Sequence, residues 1–218
     1  MAKTIERLMV VEDNPAFSSA AVEYFRSVSV NPIIAKDYDD AKTFYEFGDL
    51  EGAIVDCFFP YKIGTNTISV GQQVANKMED TLQYPKNPIG KALKQVGELL
   101  GEEFAKLAAK NSRVEYLSVV DNFWVMDLAM RRSENNQPLG ILVAEELDKR
   151  RIPFVLATST YHHDILTQPI QDYASKMGWR LIDCEPNLED EKATRGYWLR
   201  AYNALIDVMM DQNKDEAN

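Results

Sequence analysis

The chain is short of the residues on which most recognisable sites are built. Among 218 residues there are two cysteines and two histidines. Cys57 and Cys184 lie far apart and neither belongs to a CxxC pair, which excludes the zinc and dithiol redox motifs that use that spacing. Both close apolar runs, where a reduced, buried thiol is expected. The histidines stand together as His162-His163, followed by Asp164. Adjacent side chains point in different directions and no HxxxH spacing exists, so the pair reads as a surface loop. Glycine-rich phosphate loops are missing: neither GxGxxG nor GxxxxGKS/T occurs. Ser18, Ser19 and Ser159 have no base in a nucleophile arrangement. No apolar run approaches the ~20 residues of a membrane helix. The start, MAKTIERLMVVEDN, carries no signal peptide, because LMVV is short and acid follows at once. These absences lead to the expectation of a cytoplasmic protein.

Positive charge is also scarce, with 24 Lys and Arg against 34 Asp and Glu and a net charge of -10. That balance repels nucleic-acid phosphates and anionic membranes. Lys149-Arg150-Arg151 is the one short basic patch near a helix end. What is present is an ordinary core-forming composition, 45% hydrophobic and 27% charged. The length suits one domain with an insertion, or two small ones.

The pattern alternates. RLMVV (7–11), NPIIAK (31–36) and GAIVD (52–56) read as strands. Between them, 14–29 reads as a helix with Asn14 as N-cap and Pro15 at its first position. DYDDAKTFYEFGD follows as a helix capped by Asp37 or Asp39 and closed near Gly48. The alternation resumes with a helix over 137–151, a strand over 152–159, a helix over 167–178 and a strand over 179–184. After a loop at 185–193 comes a final amphipathic helix, with NKDEAN as a frayed tail. This order predicts a doubly wound five-stranded parallel α/β sheet, flavodoxin-like, in strand order 2-1-3-4-5.

Residues 65–136 interrupt the alternation as a helical insertion between the two parts, 1–64 and 137–218, of the α/β domain. Helices are expected over 66–82 and 87–110, the second with a stripe of Leu93, Val96, Leu99, Leu100, Phe104 and Leu107. A third is expected over 112–132, although VEYLSVV also suits a strand. Either TISVGQQVANKM or PLGILVAEELDKRR can be the helix that follows strand three. Phe58, Phe59, Phe123 and Trp124 read as core before they read as a recognition face. Tyr197 and Trp198, on the last helix, are expected to be partly exposed.

Two strands end on acids. RLMVVEDN stops at Glu12 and Asp13, and AIVDCFFP stops at Asp56. In an open parallel sheet, ligands sit outside the carboxyl ends of the strands, at the point where strand order reverses. Three carboxylates there repel one another, and a hard divalent cation with oxygen ligands removes that cost.

At these residues the sequence resembles the receiver domain of two-component response regulators. The matching pieces are VVEDN (10–14), IVDCFFP (54–60) and IPFVLATS (152–159), and the resemblance covers roughly 5–64 and 137–210. It implies that Glu12 and Asp13 hold Mg²⁺ together with Asp56, that Asp56 accepts a phosphoryl group in a phosphorelay, and that Thr158 is the switch hydroxyl. It implies a protein partner, such as a histidine kinase or another signalling protein, and a homodimer is compatible with it. No DNA-binding output segment is expected after the sheet, so output through partners is expected. Receivers carry a lysine followed by proline at the end of strand five, and here the matching residues are Glu185 and Pro186. An anion in place of the phosphate-binding cation predicts a pseudo-receiver that signals through protein contacts, with phosphorylation at Asp56 impaired or lost. Arg180 or Lys176 reaching in would restore a working phospho-acceptor. A third expectation is a Mg²⁺-dependent phosphotransfer or hydrolytic enzyme using the crevice of Glu12, Asp13, Asp56 and Glu185.

Overall fold

The computed structural model describes residues 5–65, 67–83, 122–161, 164–185 and 188–216. Five parallel strands form one sheet in the order β2-β1-β3-β4-β5, as the alternation requires. They are β1 (Leu8–Val11), β2 (Ile33–Ala35), β3 (Gly52–Asp56), β4 (Phe154–Ala157) and β5 (Leu181–Ile182). The helices are α1 (Pro15–Ser27), α2 (Tyr38–Phe47), α3 (Ile68–Leu82), α4 (Asn122–Arg132), α5 (Gly140–Lys149), α6 (Gln168–Met177) and α7 (Arg195–Glu216).

The central strands are apolar on both faces because helices cover both. Met9, Val11, Ala53, Val55, Phe154 and Leu156 point to one side, against α2, α5 and α6. Leu8, Val10, Ile54, Val155 and Ala157 point to the other, where α1 and α7 supply Tyr24, Phe25, Tyr197, Trp198 and Leu205. Local signals set the helix starts. The Asn14 side chain accepts the Ala16 N–H, with Pro15 at the first position, and Asp37 accepts the Asp40 N–H at the start of α2.

The helix that crosses from β3 to β4 is α5. The Gly140 N–H donates to the Cys57 carbonyl at 3.2 Å, and the Phe59 N–H donates to the Gln137 carbonyl at 3.2 Å. A Cβ at Gly140 would lie 2.2 Å from the Asp56 carbonyl oxygen, so only glycine lets α5 start this close to the end of β3. Helices α3 and α4 lie outside this unit but share its core, contributing Val74, Met78, Met126 and Met130 to the first cluster. A polar contact at the surface seats α3: the exposed Lys77 reaches both oxygens of the buried Glu145 on α5 with its Nζ at 2.6 Å, and the Tyr173 hydroxyl of α6 donates to Glu145 Oε1 at 2.8 Å. The expected helix over 87–110, its apolar stripe and the ambiguous VEYLSVV lie outside the described residues.

Three expectations change. Strands β2 and β5 are shorter than the apolar runs suggest, because both lie at the sheet edges, with a partner on one side only. The last helix runs on to Glu216 instead of fraying at Asn213, since no glycine or proline stops it. Tyr197 and Trp198 are fully buried rather than partly exposed, because α7 turns that face onto the sheet.

Candidate functional site

Register brings the three acids together. Val11 pairs with Val55, and Asp56 pairs with Ala157, so the residues that leave β1, β3 and β4 emerge side by side. Glu12, Asp13 and Asp56 each offer a carboxylate oxygen, and these atoms lie within 4.8 Å of one another. Glu12 is fully buried and Asp56 is 8% exposed, while Asp13 is half-buried. The backbone fixes two of them. The Asn14 N–H donates to Glu12 Oε1 at 3.1 Å, and the Cys57 N–H donates to Asp56 Oδ1 at 2.8 Å.

A cation is already in this pocket, and it is not where the sequence suggested. Lys192 is 0% exposed, and its Nζ lies 2.6 Å from Glu12 Oε2 and 2.9 Å from Asp56 Oδ1. It projects from a 3₁₀ turn, Glu189–Ala193, in the loop between β5 and α7. Glu185 is exposed, and its backbone N–H donates to Glu191 Oε2 at 2.8 Å. The acid at the end of strand five therefore does not leave Asp56 without an ammonium group. The two cations expected as substitutes stay away: Arg180 pairs with Asp207 at 3.1 Å, and Lys176 donates to the Thr81 carbonyl. One signal could have found Lys192. It is the sole cation between Arg180 and Arg195, in an otherwise acidic loop that must pass the mouth of a three-carboxylate crevice.

Burial dominates the electrostatics. It pushes Glu12 up to about 8, with the Lys192 charge opposing and the Asp56 charge adding to the rise. Asp13 rises to about 6 through burial and the neighbouring Asp56 charge. Asp56 itself is raised by burial against the pull of Lys192. For Lys192 burial works downward, but the Asp56 and Glu12 carboxylates override it and hold the ammonium charged.

Thr158 follows β4 directly and is buried. Its hydroxyl shares a hydrogen bond with the Thr160 hydroxyl at 2.9 Å, and Thr160 in turn bonds the buried Thr167, just before α6. The Tyr197 hydroxyl locks the backbone here, accepting the Thr158 N–H at 2.9 Å and donating to the Thr158 carbonyl at 2.8 Å. Cys57 and Cys184 are buried free thiols. Phe59 is buried, and Phe58, in the same loop after β3, is partly buried against the same core. His162 and His163 lie outside the described residues. Among the described residues no helix is long and apolar enough to cross a membrane.

The donor set of three carboxylates suits a hard divalent cation such as Mg²⁺ and offers no soft ligand for a transition metal. No family model matches this chain, nor does any curated protein or solved structure.

Proposed function

We propose that this chain is a receiver-like signalling module in which Asp56 accepts a phosphoryl group and the change is passed on by protein contact. The observation that carries the reading is the buried ammonium of Lys192, 2.9 Å from Asp56 Oδ1, beside two further carboxylates. An Asp56 oxygen attacks the phosphorus of a phosphohistidine or a small acyl phosphate. The bond from phosphorus to the leaving nitrogen or oxygen breaks, and its electron pair stays with the leaving group. The product is an aspartyl phosphate. Lys192 is placed to follow the negative charge from the carboxylate to the phosphoryl oxygens. Glu12, Asp13 and Asp56 would hold Mg²⁺, which supplies charge neutralisation at the phosphoryl oxygens when bound. The backbone N–H of Cys57 keeps Asp56 oriented throughout.

A second reading, a protein-contact module with the acceptor impaired, is favoured by one observation. Asp56 is only 8% exposed, so a phosphodonor must displace something to reach it. Intact-mass spectrometry after incubation with acetyl phosphate and Mg²⁺ separates the two. The working acceptor gains one phosphoryl mass, and Asp56→Asn gains none; a wild type that gains none leaves the impaired reading.

A further inference from the structure

Lys192 does not come from a strand, so something other than the sheet ladder must aim it. We infer that Glu191 and Arg200 are positioning residues that seat Lys192 against Asp56 and thereby set the rate of phosphoryl transfer. This rests on the acceptor reading above.

A 3₁₀ turn advances three residues per turn, so neighbouring side chains leave it about 120° apart. Fixing the direction of one residue therefore fixes the next. Glu191 is fixed on both oxygens. Its Oε2 accepts the N–H of Glu185 at the exit of β5 at 2.8 Å, and its Oε1 pairs with Arg200 on α7. Arg200 also donates through Nη2 to the Asp183 carbonyl at 3.2 Å, which ties the same corner to the strand. With Glu191 clamped between β5 and α7, the side chain of Lys192 is turned inward. The Trp198 indole N–H holds the Lys192 carbonyl at 2.8 Å, which completes the seat. Exposed ion pairs contribute little by themselves. This carboxylate is 13% exposed and bridges two elements, so it holds a geometry. The acid at Glu185 belongs to the same device: its backbone N–H, not its side chain, serves the site.

Misplacement by about 1 Å can cost on the order of a hundredfold in a positioned reaction. The test measures the phosphorylation rate at Asp56 with saturating acetyl phosphate and Mg²⁺ in Glu191→Gln and Arg200→Met. Each is made in the native background and in Lys192→Met. Expected is a loss of about tenfold or more in the native background and none beyond the Lys192→Met loss in the other. Equal losses in both backgrounds would mean a general structural role and overturn the inference. A second readout does not need Lys192→Met to fold or Asp56 to react. Acetic anhydride labelling, read by peptide mass spectrometry, should spare Lys192 in the wild type and modify it in Glu191→Gln. A Lys192 equally protected in both proteins overturns the inference. A wild type that takes no phosphoryl group removes the acceptor reading instead, and labelling then decides alone whether Glu191 and Arg200 seat the lysine.

Discussion

Removing the Lys192 ammonium is the perturbation with the largest calculable effect. Its Nζ lies 2.6 Å from Glu12 and 2.9 Å from Asp56. Where both carboxylates are ionised, each contact at an effective dielectric constant of about 20 is a gross attraction of about 6 kcal/mol. Most of that offsets the cost of taking three charged groups out of water. Breaking a buried pair from one side, however, leaves the partner charge uncompensated, at a cost of about 3–5 kcal/mol. Lys192→Met keeps most of the apolar stem and deletes the ammonium group, so the loss is chiefly that of its charge and N–H donors. Glu12 and Asp56 respond by holding protons more tightly, which limits the penalty where protons are plentiful. Urea denaturation without divalent metal should therefore show a loss of about 3–5 kcal/mol at pH 9, above the Glu12 value of about 8, and a clearly smaller one at pH 5. A loss under about 1 kcal/mol at pH 9, or equal losses at both pH values, would refute the reasoning.

The pocket acids also set a pH dependence. Glu12 and Asp13 have raised folded values, about 8 and about 6, so the native state binds more protons than the unfolded chain across the interval above their ordinary range. Stability therefore falls as pH rises from about 5 to 8, by on the order of 4 kcal/mol from Glu12. The Glu191 carboxyl, held low by Arg200, acts in the opposite sense, but its contribution is complete above the ordinary carboxyl range and lost only in more acidic solution. Melting temperatures in metal-free buffer check this, and a temperature that rises between pH 5 and pH 8 contradicts it. Gly140→Ala places a methyl group 2.2 Å from the Asp56 carbonyl oxygen, which forces α5 away from β3. A loss of about 1–3 kcal/mol in urea denaturation is expected, and a neutral result would show that α5 moves freely.

Much of the fold is legible because the strand signals are local. LMVV, IIA and GAIVD are apolar runs closed by polar residues, and Asn14-Pro15 and Asp37 announce the helices between them. The convergence of Glu12, Asp13 and Asp56 follows once those runs are taken as adjacent parallel strands. Two features were not legible. The choice between the two helices that could follow β3 depends on the approach of Gly140 to Asp56, a contact across 84 residues of sequence that no local pattern carries. Lys192 lies not at the end of β5 but in the 3₁₀ turn beyond it, where no strand pattern marks a position for a cation. Its location depends on how an irregular, acidic loop folds back over the crevice, and that is fixed by Glu191, Arg200 and Trp198 acting together. The charge balance does contain the clue: three converging acids, two of them buried, need a cation, and the loop holds one.

The central claim is that Lys192 serves Asp56 as the phosphate-facing cation that Glu185 cannot supply. Intact-mass spectrometry of wild type, Lys192→Met and Glu185→Lys, each incubated with acetyl phosphate and Mg²⁺, tests it most directly. The account predicts one phosphoryl mass on the wild type, lost in Asp56→Asn, much slower uptake in Lys192→Met, and no gain in Glu185→Lys. A wild type that stays unmodified while Glu185→Lys is readily phosphorylated would contradict it.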